Sequence, residues 1–166
     1  MIVPRCPALD LGRGRGLSIE GWINPANVLT PAPLAEWYDL TPPTNSTPPG
    51  VQFWLAMTNG PGSLGAVLWD TNSQPHAIST VPLALTNAGW QHVALTYNTN
   101  SASAVLYTNG QPAASVQFPT NFVPRTSGDL YLGYDPAILP APINYTNFSS
   151  TAGLNLVGVA ARNGSV

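Results

Sequence analysis

The acidic side chains are the first candidates for chemistry, because two carboxyl groups held about 5 to 5.5 Å apart can cleave a glycosidic bond with retention. The chain has two glutamates, Glu20 and Glu36, and neither has an acidic neighbour two or four positions away. Asp39 lies three positions after Glu36, which puts their side chains on opposite faces of an extended strand. The sequence therefore predicts no catalytic carboxyl pair, and we predict that the protein is not an enzyme.

Histidine and cysteine chemistry is the second route to catalysis. The two histidines, His76 and His92, do not lie in a Ser-His-Asp or Cys-His pattern. We interpret His92, inside an alternating apolar segment, as a partly buried structural imidazole, and His76, which follows a proline, as an exposed side chain. The single cysteine, Cys6, excludes an internal disulfide and any metal site built from several cysteines. No catalytic residue is predicted.

The five tryptophans are the remaining candidates, because a flat aromatic face can stack on a sugar ring. They are Trp22, Trp37, Trp54, Trp69 and Trp90. Trp37 stands next to Glu36 and two positions before Asp39, and Trp54 stands two positions after Gln52, so carboxyl and amide groups accompany both rings. We predict Trp37 and Trp54 as ligand-binding residues. The alternative for both is a structural role, since aromatic rings also supply core area.

The charge composition narrows the range of partners. Only 7% of the residues are charged, the formal net charge is −2, and all five basic residues are arginines. Binding to nucleic acid is not expected, because neutralising phosphates requires clustered basic side chains. Arg5, Arg13 and Arg15 have Asp10 among them, and we interpret this segment as a solvated loop. No stretch is long and apolar enough to span a membrane, and no signal peptide is visible at residues 1–5.

Short β-strands must position these side chains. Proline (18 residues) and glycine (15 residues) interrupt the chain every few positions, and the apolar residues alternate rather than recur with helical spacing. The Asn109-Gly110 pair predicts a type I′ hairpin turn. Residues 40–49 and 136–153 are predicted loops, because they are rich in proline and small polar residues. The predicted strands cover residues 17–24, 51–57, 64–69, 76–83, 90–97, 104–108, 111–118, 130–134 and 154–160.

Several of these segments carry a family resemblance. Residues 7–12 (PALDLG) precede residues 17–25 (LSIEGWINP), and later come 89–97 (GWQHVALTY), 105–110 (VLYTNG) and 128–133 (GDLYLG). In this order and spacing they resemble the laminin G-like jelly rolls of the concanavalin A-like lectin and glucanase kind. The resemblance extends over roughly residues 3 to 135. It implies an all-β fold, an antiparallel two-sheet jelly-roll sandwich with loops at its rim available for ligands.

The resemblance also bears on the tryptophans and on metal binding. Trp22 and Trp90 fall in segments that resemble structural strands of the family, which implies that both are structural. Related domains often hold one calcium ion at the rim, and Asp70, Asp129 and Asp135 lie at or near predicted strand ends. No cofactor is required on this interpretation. Calcium is the one ion implied, and no metal ligand is assigned.

The family resemblance implies a function and a location. We expect residues 1–166 to form one laminin G-like domain, a non-catalytic recognition module that binds carbohydrate or an extracellular protein. The alternatives are a structural or adhesive spacer without a specific ligand, and a glycan-active hydrolase of the same fold. The usual first and last strands of the family are absent from the sequence, which predicts a domain truncated at both ends within a longer extracellular or cell-surface protein.

Overall fold

Two antiparallel β-sheets make up the fold. The structure, a computed structural model, describes residues 1–40, 49–56 and 59–133, together with the backbone of residues 154–163. Short 3₁₀ turns cover Pro7–Leu9 and Leu11–Arg13. The strands are β1 (Ile2–Val3), β2 (Gly16–Pro25), β3 (Ala32–Tyr38), β4 (Val51–Leu55), β5 (Leu64–Trp69), β6 (Pro75–Ser79), β7 (Gln91–Asn98), β8 (Ser103–Thr108), β9 (Gln111–Gln117), β10 (Asp129–Leu132) and β11 (Leu154–Asn163).

The strands pair into one six-stranded and one five-stranded sheet. The order is β1-β10-β3-β4-β5-β6 in the first and β11-β2-β7-β8-β9 in the second. Every pairing is antiparallel, and successive strands lie in different sheets after β1, β2, β6, β9 and β10. The predicted antiparallel two-sheet sandwich is therefore confirmed.

Period-2 alternation places the core between the sheets. In β2, Leu17, Ile19 and Ile23 are buried in the core, whereas Glu20 and Trp22 on the other face are accessible to solvent. The same alternation buries Val51, Phe53 and Leu55 of β4 and Val93, Leu95 and Tyr97 of β7 in the same core. Each strand therefore has an inner face directed at the opposite sheet and an outer face directed away from it.

The predicted hairpin is present. β8 and β9 pair in antiparallel register, and the residues between them, Asn109 and Gly110, have φ angles of 50° and 79°. Positive φ at both central positions is the requirement of a type I′ turn, which asparagine and glycine meet with the least strain. The Asn109 side chain also accepts a hydrogen bond from the backbone N–H of His92 at 3.0 Å, which ties the turn to β7.

Three strand predictions need correction. β3 was not predicted, because Pro33 and an irregular register between Pro33 and Ala35 disturb its alternation. β4 ends at Leu55, since Ala56 has a φ of 56° that no regular strand allows. β6 ends at Ser79 rather than at residue 83, because Leu83 has a φ of 60° and lies in a turn.

The two ends of the chain supply edge strands. β1 lies at one edge of the six-stranded sheet and β11 at one edge of the five-stranded sheet, next to β2. The sequence predicts no strand at residues 2–3 and a strand at residues 154–160. In the structure both segments form edge strands. Truncation of the domain and its extent over residues 1–166 stay predictions. Most of the predicted loops 40–49 and 136–153 falls outside the described residues.

The two ends of the sandwich differ in charge. At one end, which we call the charged end, β2 and β10 begin and β3, β5, β7 and β9 finish. The opposite end, the neutral end, carries the described loops 26–31, 59–63 and 80–90 and the turn at 109–110, none of which contains an Asp, Glu, Lys or Arg residue. The charged side chains at the charged end are Arg5, Asp10, Arg13, Arg15, Asp39, Asp70, Arg125 and Asp129.

An aromatic cluster closes the core at the charged end. Its rings are Tyr97, Phe118, Phe122 and His76. The Tyr97 hydroxyl donates a hydrogen bond to the carbonyl of Phe122 at 3.0 Å, and burial raises the pKa of this tyrosine. His76 was predicted as an exposed side chain, but it is partly buried, with its ring 4.7 Å from that of Phe122 and its Nε2 3.7 Å from Asp70 Oδ2.

Candidate functional site

A groove crosses the outer face of the five-stranded sheet. Its volume is about 300 Å³, and we call it the Tyr107 groove. β2, β7 and β8 each contribute alternate residues to its floor, since alternate side chains of a strand share one face. The side chains that define it are Arg15, Ser18, Thr96, Asn98, Ser103 and Tyr107.

Strand register brings the groove residues together. Ser18 pairs with Thr96 and Asn98 pairs with Ser103, while Tyr107 pairs with Ala94 on the neighbouring strand. Ala94 is buried although it lies on the outer face, which means that its larger neighbours close over it. Because the Ala94 side chain is small, the ring of its neighbour Tyr107 forms this side of the groove.

The groove has the chemistry of a polar ligand site. Ser18, Thr96 and Ser103 carry hydroxyl groups, which donate and accept hydrogen bonds. The Asn98 amide has its Nδ2 to donate, since its Oδ1 already accepts from the backbone N–H groups of Asn100 and Ser101. One aromatic ring and the Arg15 guanidinium complete the set. Such groups match the closely spaced hydroxyls of a saccharide. The volume lies at the lower end of the range for small-molecule sites.

A second cluster lies further along the same face, towards the neutral end. The rings of Trp22 and His92 are in edge contact with centroids 5.4 Å apart, and His92 Nε2 lies 3.7 Å from Glu20 Oε2. His92 is partly buried, as predicted. The structural interpretation of Trp22 and Trp90 needs correction, because Trp22 is 50% and Trp90 48% exposed.

The outer face of the six-stranded sheet carries a buried hydrogen-bonded network. Trp54 Nε1 and Gln52 Nε2 each donate to Glu36 Oε1 at 2.7 Å, and Trp69 Nε1 donates to Gln52 Oε1 at 3.2 Å. We call this set the Trp54 network. Glu36 is fully buried and Trp54 is 6% exposed. The predicted association of Trp54 with carboxyl and amide groups is present, but the ring offers no free face for stacking.

Trp37 lies on the same strand as Glu36, β3, but on its opposite face. Because alternate residues of β3 face opposite ways, Glu36 lies on the outer face and Trp37 in the core, where it has no exposed surface. Its indole N–H donates to the carbonyl of Leu9 at 3.3 Å. The prediction that Trp37 and Trp54 bind a ligand together therefore needs correction, since the two rings lie on different faces and both are buried.

The two glutamates do not converge. Glu20 and Glu36 lie on the outer faces of different sheets, and packed sheets are about 10 Å apart, so these carboxyl groups form no hydrolytic pair. Asp70 Oδ1 accepts hydrogen bonds from the backbone N–H groups of Asn72 and Gln74, both at 2.8 Å.

The acids considered for calcium lie apart. Asp129 Oδ1 accepts from the backbone N–H of Arg5 at 2.8 Å, and three strand spacings, about 14 Å, separate Asp129 from Asp70. Asp135 lies outside the described residues. Within the described part of the chain, no three His, Cys, Asp or Glu side chains cluster as metal ligands would, so Asp70 and Asp129 do not fit a shared calcium site. Calcium binding stays a prediction.

The architecture is that of a lectin-like jelly-roll sandwich, with the Tyr107 groove on one outer face and the buried Trp54 network on the other. A family model described as the concanavalin A-like lectin/glucanases superfamily matches residues 5–148. The chain therefore belongs to this superfamily, as the sequence resemblance predicts. No curated protein sequence matches the chain. Among the described residues, no helix has the length and apolar character needed to cross a membrane.

Solved structures with a similar fold are distant in sequence. Domains LG4-5 of the mouse laminin α1 chain align over 98% of this chain and 39% of that one, with a TM-score of 0.65 and 16% identity. A pentraxin from Limulus polyphemus aligns over 100% of this chain and 68% of its own, with a TM-score of 0.58 and 14% identity. A module of a Ruminococcus gnavus sialidase aligns over 81% of this chain and 77% of its own, with a TM-score of 0.57 and 13% identity. At these identities the similarity shows the fold alone.

The chain is shorter than several of its structural neighbours. It spans 39% of the laminin chain and 34% of another similar structure. The activities and partners of the longer proteins therefore do not transfer to this chain by similarity.

Proposed function

We propose that the protein is a non-catalytic recognition module that binds carbohydrate in the Tyr107 groove. The observation that carries this proposal is the convergence of the Ser18, Thr96 and Ser103 hydroxyls, the Asn98 and Asn100 amides and the Tyr107 ring on a partly accessible sheet face. The groove extends over three strands of a regular sheet. Its polar groups are therefore held in place before a ligand arrives, which lowers the entropy lost on binding.

The size of the groove favours a small polar ligand over a protein partner. Stable protein interfaces bury about 800 Å² on each side and are enriched in aromatic and arginine side chains. The Tyr107 groove, at about 300 Å³, has one tyrosine, one arginine and otherwise mostly small polar residues. A few sugar units match this volume and polarity.

The comparisons are consistent with this choice. The Ruminococcus gnavus module with a similar fold, named CBM40, was solved bound to α2,3-sialyllactose, so a sandwich of this architecture carries a saccharide in that protein. The separation of Glu20 and Glu36 on different outer faces supports binding without hydrolysis. An extracellular or cell-surface location is part of the proposal, because the glycans that such a module would meet are found there.

Removal of single polar groups from the groove tests the proposal. A glycan array of neutral and sialylated oligosaccharides identifies a ligand, and calorimetry then measures its affinity for the wild-type chain, Tyr107→Ala and Thr96→Val. We expect each substitution to weaken binding about fivefold, since each removes a ring contact or a hydrogen bond worth about 1 kcal/mol.

Gln111→Ala provides the matched control. Gln111 is exposed on the adjacent strand β9 and does not line the groove. Its substitution should leave the affinity unchanged. Absence of binding to every glycan on the array, or equal affinities for the wild type and Tyr107→Ala, contradicts the proposal.

A further inference from the structure

The neutral end of the sandwich exposes aliphatic side chains. Leu29, Val81 and Leu83 have exposures between 66% and 69%, and all three lie in the described loops of that end. Trp90, about half exposed, lies where loop 80–90 joins β7. Most of the large exposed apolar residues of the described chain are therefore gathered at the end whose described loops contain no charged side chain.

Backbone hydrogen bonds join these loops into one surface. The N–H of Gly62 donates to the carbonyl of Val28 at 2.6 Å, and the N–H of Leu83 donates to the carbonyl of Pro61 at 2.9 Å. Loop 59–63 thus connects the loop that carries Leu29 to the loop that carries Leu83. A Cβ atom at Gly62 would lie 2.9 Å from the Leu83 Cα, so the contact between the loops is close.

The backbone at Leu83 is in an unusual conformation. Its φ of 60° lies in the left-handed region, which residues other than glycine and asparagine rarely adopt. Packing of the Leu83 side chain does not explain this conformation, because the side chain has little contact with the core. Such backbone conformations concentrate at functional positions.

We propose that the neutral end binds the surface of a zwitterionic phospholipid bilayer, with Leu29, Val81 and Leu83 inserted among the acyl chains. A protein interface requires a complementary surface with polar groups at its rim, whereas an acyl layer accepts protruding aliphatic side chains of any arrangement. Trp90 lies where loop 80–90 joins β7 and is about half exposed, and half-exposed tryptophan side chains are enriched at membrane interfaces. The absence of lysine and arginine from the described loops of this end argues against attraction to anionic lipid.

Vesicle flotation with the full chain tests this proposal. Large unilamellar vesicles of phosphatidylcholine, with and without phosphatidylserine, are mixed with the wild type, Leu29→Asn and Leu83→Asn. We expect the wild type to float with neutral vesicles, no gain from phosphatidylserine, and a partition coefficient about tenfold lower for each variant. Asparagine tolerates the left-handed region, so Leu83→Asn should fold, which a thermal melt verifies.

Two controls separate this surface from the Tyr107 groove and from general hydrophobicity. Leu40→Asn removes an exposed leucine from the charged end, and Tyr107→Ala alters the groove. Both should float like the wild type. The proposal is overturned by failure to bind neutral vesicles, by binding that requires phosphatidylserine, or by equal partitioning of Leu83→Asn. A dimer in sedimentation velocity that Leu83→Asn dissociates, without vesicle binding, would assign this end to a second copy instead.

Discussion

The outer faces of the two sheets carry similar side chains in different surroundings. Each face has a glutamate and a tryptophan near its centre, Glu36 with Trp54 on the six-stranded sheet and Glu20 with Trp22 on the five-stranded sheet. The first pair is buried and joined by a short hydrogen bond, whereas Trp22 is half exposed and contacts His92. Residue type therefore does not identify a binding face. Accessibility does, and it favours the five-stranded sheet.

The largest effect on stability should come from the buried tryptophan in the core. Trp37→Ala leaves a cavity where a fully buried ring lay, and we expect the free energy of unfolding to fall by about 3–5 kcal/mol. Trp22→Ala on the open face should cost about 2 kcal/mol, because half of that ring is already in water. Urea unfolding of both variants measures the difference. Equal losses would mean that the open face is covered in solution.

A smaller effect is expected from the two glutamates. Glu36→Ala removes the acceptor of two buried hydrogen bonds, from Trp54 and Gln52, and should lower the free energy of unfolding by about 2 kcal/mol. Glu20→Ala removes a partly exposed side chain near His92 and should change it by less than about 1 kcal/mol. Urea titrations at neutral pH give both values. A loss for Glu20→Ala as large as that for Glu36→Ala would contradict the assignment of open and buried faces.

The smallest expected effect is a dependence of stability on alkaline pH. It distinguishes Tyr97, on the core face of the five-stranded sheet, from Tyr107 on its outer face. Tyr97 faces the core, and burial raises its pKa above the ordinary value of 10.0. The folded state then holds this proton more tightly than the unfolded chain does. Its contribution to stability is complete below pH 10 and is lost as the pH rises through the folded-state pKa. Thermal melts between pH 9 and pH 12 should therefore show a falling midpoint.

Tyr97→Phe should flatten this alkaline decline, because phenylalanine has no hydroxyl to ionise. Tyr107→Phe, a change on the outer face of the adjacent strand, should retain the decline and is the matched control. The explanation fails if the decline persists unchanged in Tyr97→Phe. Melts at pH 7 provide the reference, since the substitution also removes the hydrogen bond from Tyr97 to Phe122.

Local sequence patterns predicted a large part of the fold. Alternation in β2 and β7 identified both faces of these strands correctly, and Asn109-Gly110 identified the hairpin, because both signals depend on neighbouring residues only. β3 escaped prediction because Pro33 and the irregular register beside it break the alternation. In β2, β5 and β7, the pattern alone located the strand to within one residue at each end.

The candidate site was less predictable than the strands. Alternation separates the two faces of a strand but does not tell which outer face other parts of the molecule cover. For that reason Trp54 was expected on a ligand-binding face and is buried, while Trp22 was expected to be structural and is exposed. The Tyr107 groove depends on the register of three strands distant in sequence, which single-strand patterns do not contain.

The four edge strands determine where this sandwich could recruit a further strand. β1 is only two residues long, β6 begins at Pro75, and β9 contains Pro112, so each of these edges is short or lacks a backbone donor. β11 is ten residues long and has no proline. Among the described strands, β11 is therefore the edge with the longest row of backbone donors and acceptors uninterrupted by proline.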